Sequence, residues 1–194
     1  MTVRSAGILL YRWDVAERDL AGQDVAGNDA GTAQLQVWIA HMGGPFWARK
    51  DARAWSIPKG EYLEGEDPLV AALREFEEEM GTPAPAAGYV PLDEFRQPSG
   101  KLITAFAAES DFQPEVIASN TFPLEWPKGS GNIQQFPEID DAGWFSEEDA
   151  RVKLVKGQLA ILDALLERLR EEESGGNMLG GNTEGAALPE EGST

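Results

Sequence analysis

The segment from Gly60 to Thr82, GEYLEGEDPLVAALREFEEEMGT, leaves little freedom in what it can form. Asp67 is a good helix N-cap, Pro68 suits the first helical position, and Gly81 suits the residue after the last turn. Between them Leu69, Leu73, Phe76 and Met80 recur at i, i+4, i+7 and i+11, a single apolar stripe. The segment therefore predicts a short helix with one buried face. It also crowds Glu75, Glu77, Glu78 and Glu79 around Arg74. Glu75, Glu78 and Glu79 share a helical face, expected to lie roughly opposite the apolar stripe, while Glu77 points elsewhere as a solvated charge. Such neighbours repel by roughly a few tenths of a kcal/mol per pair on an exposed helix. The repulsion grows if the face lines a cleft of lower dielectric.

A bound cation would turn that repulsion into affinity, and the composition narrows which one. The chain has no Cys and a single His, His41, so thiolate chemistry, disulfides and His-rich metal sites are excluded or disfavoured. Oxygen-only ligands point to Mg²⁺ or Mn²⁺. Mg²⁺ usually keeps several waters and is completed by substrate phosphates. Arg74, four residues before Glu78, can fix a carboxylate through a paired hydrogen bond.

Lys and Arg total 16 against 34 Asp and Glu, a formal charge of −18. That balance argues against nucleic acid or an anionic membrane as the main partner, but not against a small phosphorylated ligand that arrives with a cation. No run approaches the length of a membrane span, and MTVRSAGILLYRWDV does not read as a signal peptide, so a cytoplasmic protein is expected.

Along the chain, residues 3–13 and 35–42 read as strands, and 16–33 as a long flexible loop. A loop at 43–55 holds Arg49, Lys50 and Arg53, with Lys59 just beyond, an unusual local positive cluster in so acidic a chain. Strands are expected near 88–97 and 101–109, joined by a Pro-Ser-Gly turn, and a Gly-rich loop at 127–135. Ser146 and Asp149 have capping-box spacing, and an amphipathic helix at about 157–172 carries Leu159, Leu162, Leu165, Leu166 and Leu169. The domain is expected to span 1–172, followed by a disordered acidic, Gly-rich tail at 173–194. Helices interleaved with strands suggest an α/β or α+β fold on a mixed sheet.

The whole stretch reads Gly60, five residues, Glu66, seven residues, then Arg74-Glu75-Phe76-x-Glu78-Glu79-x-Gly81. This closely resembles the signature box of the Nudix hydrolases (MutT-like). It departs from that pattern at Thr82, where the family usually places a bulky apolar residue, a change expected to affect packing only. SAGILLYR, LQVWIAHM and WSIPKG look like the strands that precede the box. The resemblance implies an α/β/α sandwich with a mixed sheet and a loop-helix-loop metal site. It implies hydrolysis of a pyrophosphate bond in a nucleoside diphosphate joined to another group. Carried over by position, Glu78 and Glu79 would be metal ligands, and Glu75 a ligand or the water-activating base. The Lys59 carbonyl would be a further ligand, and Glu66 and Arg74 would orient the ligands. A distal-loop Glu often joins the metal in this family, and Glu138 is the candidate here.

WSIPKG and the early SAG strand look most like the diadenosine polyphosphate hydrolase branch. Lys59, Lys50 and Lys101 are candidates for phosphate, and Trp55, with Trp47 and Trp126, for stacking on a base. Nucleoside triphosphates, 8-oxo nucleotides and ADP-ribose remain competing substrates, and a homodimer is left open. Inositol pyrophosphates need a strongly basic pocket that is hard to build here. Two other classes stand beside the enzyme. One is a Nudix-fold module that binds a nucleotide or protein without turnover, although such proteins usually lose box carboxylates that this chain keeps. The other is a purely acidic interaction protein.

Overall fold

The computed structural model describes residues 3–14 and 33–176. The loop expected at 16–33, apart from its last residue, and the tail beyond 176 lie outside the described residues.

Strands β1 (Arg4–Asp14), β2 (Gln34–Met42), β3 (Trp55–Ser56), β4 (Lys59–Glu61), β5 (Val90–Arg96), β6 (Leu102–Glu109) and β9 (Ile139–Ser146) form one mixed seven-stranded sheet. Strand β1 runs parallel to β6 along its length, Arg4 beside Leu102 through Tyr11 beside Glu109. Its other edge is shared. Residues 11–14 pair with β2, and Ser5–Gly7 pair with β4. Strand β2 takes β3 at Ala40–His41 and β9 along Gln36–Met42. The sheet thus splits where β2 leaves β1, and β3 and β4 fill the opening. Strands β7 (Thr121–Glu125) and β8 (Ile133–Pro137) make a separate antiparallel hairpin. The expected Gly-rich loop at 127–135 is the turn of that hairpin and the start of β8.

Period-two alternation divides the central strands between two cores. Leu9, Val37, Ile39, Ile103 and Ala105 face a layer built on Ile161, Leu162, Leu165 and Leu169 of α3 (Leu159–Gly176). Ala6, Ile8, Leu10, Trp38 and Ala40 face Ala71, Ala72, Phe76 and Met80 of α1 (Pro68–Met80). A strand buried on both faces must be apolar throughout, which is why AGILL reads as a continuous run. The result is the expected α/β/α sandwich. The short helix α2 (Glu147–Lys153) is capped by Ser146, whose Oγ accepts from the Asp149 backbone N–H at 3.1 Å.

Two boundaries move. Helix α3 starts after a 3₁₀ turn at Lys156–Gln158 and runs to Gly176, so the tail does not begin at 173. Among the described residues, no helix is long and apolar enough to cross a membrane.

Candidate active site

Helix α1 is punctuated as its sequence dictates. The Asp67 carboxylate accepts from the Leu69 and Val70 N–H groups at 2.9 and 3.1 Å. Gly81 closes the helix at φ 72°, donating to the Glu77 carbonyl. The phasing of the faces differs from expectation. The buried residues of α1 are Ala71, Ala72, Phe76, Glu79 and Met80, while Leu69 and Leu73 are only partly covered. Glu79 therefore lies inside the buried arc, not opposite it. Alanines at 71 and 72 bring the helix close to the sheet on the carboxylate side, which widens that arc. Glu77 is exposed, as expected.

Strand β4 supplies the opposing surface. The Lys59 N–H donates to Glu79 Oε2 at 2.8 Å. At Gly60 an added Cβ would stand 1.6 Å from the Glu75 carboxylate. Only glycine lets Glu75 approach the strand so closely. Arg74 binds the remaining acids, donating to Glu75 and, at 3.2 Å each, to Glu78 and Glu66. Glu66 in turn accepts from the Leu63 N–H at 3.2 Å. Asn120, which no sequence pattern marks, donates its backbone N–H to the Glu78 carbonyl at 3.0 Å and accepts from the Glu138 N–H at 2.9 Å. It thereby ties the loop carrying Glu138 to the end of the acidic helix.

The electrostatics follow from this crowding. Burial, joined by repulsion from Glu138 and Glu75, pushes the Glu79 carboxyl up to about 7 against the pull of Lys59. Burial also raises the Glu75 carboxyl, with Glu78 and Glu138 adding to it and Arg74 opposing. Among the described residues no three acids converge at ligand spacing; the Arg74 guanidinium bridges Glu75, Glu78 and Glu66 instead. The donor set nevertheless fits a hard divalent cation. It is all oxygen, and its most buried carboxylate is one that a cation would return to the charged form.

On the other side of β4, a cleft of about 510 Å³ opens. Alternation along the strand points Gly60 toward α1 and the side chains of Lys59 and Glu61 away from it, into this cleft. Lys59, Lys101 and Lys156 all line it, and the Lys101 ammonium pairs with Glu61 at 2.7 Å. Two expected phosphate or base contacts lie elsewhere. Trp55 is 4% exposed, packed edge-on against Phe145 and His41, with its Nε1–H donated to Asp51 at 2.9 Å. It is a core residue with no face left for a base. Lys50 is exposed and rests over the Trp47 ring, outside the cleft.

Arg53 and the backbone at Lys50 fasten the basic loop to the fold, and neither lines the cleft. Arg53 donates to the Arg151 and Leu154 carbonyls at 2.8 and 3.1 Å, capping the end of α2. His41 donates from Nε2 to the Lys50 carbonyl at 2.7 Å, and its Nδ1 meets Asp140. Trp126 lies edge-on to Phe46 beside the separate hairpin.

The Nudix domain model matches residues 29–165, well over half of the chain. The chain belongs to the Nudix family. No curated protein matches it in sequence. Among solved structures its fold is similar to a C. elegans Ap4A hydrolase binary complex, at 19% identity and a TM-score of 0.52, covering 88% of this chain and 98% of that one. A mutT/nudix protein from Listeria innocua is similar at 18% identity and a TM-score of 0.53, covering 88% and 95%. The Nudix domain of Shewanella oneidensis NrtR, solved with ADP ribose, matches at 16% identity and 0.52, covering 87% and 89%. At these identities the likeness is one of fold.

Proposed function

We propose that this chain is a divalent-metal-dependent hydrolase that cleaves a pyrophosphate bond in a nucleoside diphosphate joined to another group. A diadenosine polyphosphate or a nucleoside triphosphate is the favoured substrate. The observation that carries this reading is the packing of Glu75 and Glu79 against β4, a strand whose other side faces a lysine-lined cleft. Three backbone residues thus stand between an acidic pocket suited to a cation and a basic one suited to phosphates.

Glu75, Glu78, Glu79, Glu138 and the Lys59 carbonyl would hold Mg²⁺ or Mn²⁺. Once bound, such a cation polarises phosphoryl oxygens and makes water a nucleophile near neutral pH. The rest falls to the chain. Arg74 holds Glu75 and Glu78 in place and limits their rotation. Glu75, raised by burial, is also suited to take the proton of the attacking water. The Lys59 and Lys101 ammonium groups bind substrate phosphates and neutralise charge that the −18 chain would otherwise repel. That net charge fits a small nucleotide better than a nucleic acid.

Support for the branch comes from the WSIPKG entry to the box. The test is turnover of diadenosine tetraphosphate, ADP-ribose and nucleoside triphosphates with Mg²⁺. Cleavage is expected, with kcat/KM highest for the tetraphosphate. Binding of all these compounds with cleavage of none would replace the enzyme with a binding module.

A further inference from the structure

The chain has six lysines, and three of them line one cleft. Two of the three are anticipated by sequence. Lys156 is not, because 97 residues separate it from Lys59 and only folding brings them together. It sits on the 3₁₀ turn before α3, and that turn is held from several sides. The Val155 N–H donates to the Trp55 carbonyl at 2.9 Å. The Gln158 side chain, 2% exposed, accepts from the Ile57 N–H and donates to Ser56 Oγ, both at 2.9 Å. Gln97 donates to the Gly157 carbonyl at 2.9 Å. A Cβ at Gly157 would stand 2.1 Å from the Gln97 Oε1, so the two turns meet as closely as a glycine allows.

This joint sets the turn carrying Lys101 against the turn carrying Lys156. Their ammonium groups differ in commitment. Lys101 is paired with Glu61, whereas among the described residues no carboxylate stands within salt-bridge distance of Lys156. Lys156 is exposed, and like Lys59 it is left without an acid, so among the described residues two of the three ammonium groups in the cleft are uncommitted. The cleft wall contains no aromatic side chain. Beside the lysines it holds Ser5, Ser99 and the Glu61 carboxylate already paired with Lys101, while Met42, Ile103 and Val155 make much of the rest apolar. What such a wall offers an anion is the charge of its lysines, and it has no ring on which a base could stack.

We propose that Lys156, with Lys101, forms an anion subsite that holds the substrate phosphates remote from the bond attacked at the acidic centre. Lys156 is then a specificity-determining residue that reads phosphate chain length. The assignment rests on the reading of the site as a pyrophosphohydrolase, but its binding half can be measured without turnover. A longer phosphate chain presents more charge to the three lysines that line the cleft, so the benefit is expected to fall on long chains.

The experiment compares wild type, Lys156→Gln, Lys156→Glu and Lys50→Gln, the last removing an exposed cation outside the cleft. Titration calorimetry with inorganic tripolyphosphate gives affinity directly. Lys156→Gln is expected to weaken binding about tenfold, as for one charge-assisted hydrogen bond, Lys156→Glu to weaken it further, and Lys50→Gln to leave it unchanged. In turnover with Mg²⁺, kcat/KM for diadenosine tetraphosphate should fall at least about fivefold more than for ADP-ribose, mainly through KM. Equal tripolyphosphate affinity in wild type and both Lys156 variants overturns the subsite, even if the wild type hydrolyses nucleotides normally. A wild type that cleaves no nucleotide, yet binds tripolyphosphate through Lys156, overturns the hydrolase reading and leaves the anion subsite standing.

Discussion

At the scale of single residues, Glu79 carries the most information. Its carboxylate is buried and accepts from the Lys59 N–H, and burial, with repulsion from Glu138 and Glu75, raises its carboxyl to about 7 in the metal-free protein. A carboxyl raised in the fold binds its proton more tightly folded than unfolded, so its protonation stabilises the protein. That contribution is complete below the unfolded value, near 4.5, and is lost as pH rises toward 7. Metal-free protein should therefore lose stability between those limits, by up to about 3 kcal/mol from Glu79, with Glu75 adding in the same direction. Saturating Mg²⁺ should flatten or reverse this slope, because the cation binds the ionised form. Urea melts in EDTA and in Mg²⁺ at several pH values measure it; a metal-free protein equally stable at both limits would contradict the burial argument. Gly60→Ala tests the other contact. Its Cβ would occupy the place of the Glu75 carboxylate, so activity should fall by about two orders of magnitude, with the loss chiefly in kcat.

At the scale of elements, α1 was legible because its signals are local. Asp67, Pro68 and Gly81 each act within one turn of themselves. Asp67→Ala should cost about 1 kcal/mol and lower Tm by a few degrees, since two N–H groups lose their acceptor. Gly81→Ala should cost at least as much, being strained at φ 72° and also placing a Cβ 2.6 Å from the Ala118 carbonyl oxygen. A melting curve unchanged in either variant would remove the capping account. The alternating strands were legible for the same reason. What stayed hidden depends on distant partners. The 43–55 loop stands out in the sequence as a positive cluster because its bases are adjacent there. Arg53 is instead used on carbonyls about a hundred residues away, and Trp55 is sealed beneath Phe145. Lys156 carries no local signal, yet the fold delivers it to the cleft. The position of Glu79 within the buried arc could not be read from spacing, because how far the helix sinks depends on what the sheet offers at β4.

At the scale of the whole molecule, the split sheet offers a way for an acidic chain to address the anionic substrate proposed for it. Strand β4 stands between the acids of α1 and the lysine-lined cleft, so in the proposed reaction the two charge signs would act from opposite sides of three residues. A cation bound to the acids should raise Tm, and the rise should continue with the logarithm of its concentration beyond saturation, since it binds only the folded arrangement. The most direct measurement of the central claim is the rate of diadenosine tetraphosphate cleavage in wild type, Glu78→Gln, Glu79→Gln and Glu77→Gln, each with Mg²⁺ and with EDTA. The expected result is turnover in wild type and Glu77→Gln that EDTA abolishes, with kcat in Glu78→Gln and Glu79→Gln lower by about two orders of magnitude or more. Turnover that survives EDTA, or a Glu77→Gln variant as impaired as Glu78→Gln, would contradict the assignment of this helix face to the chemistry.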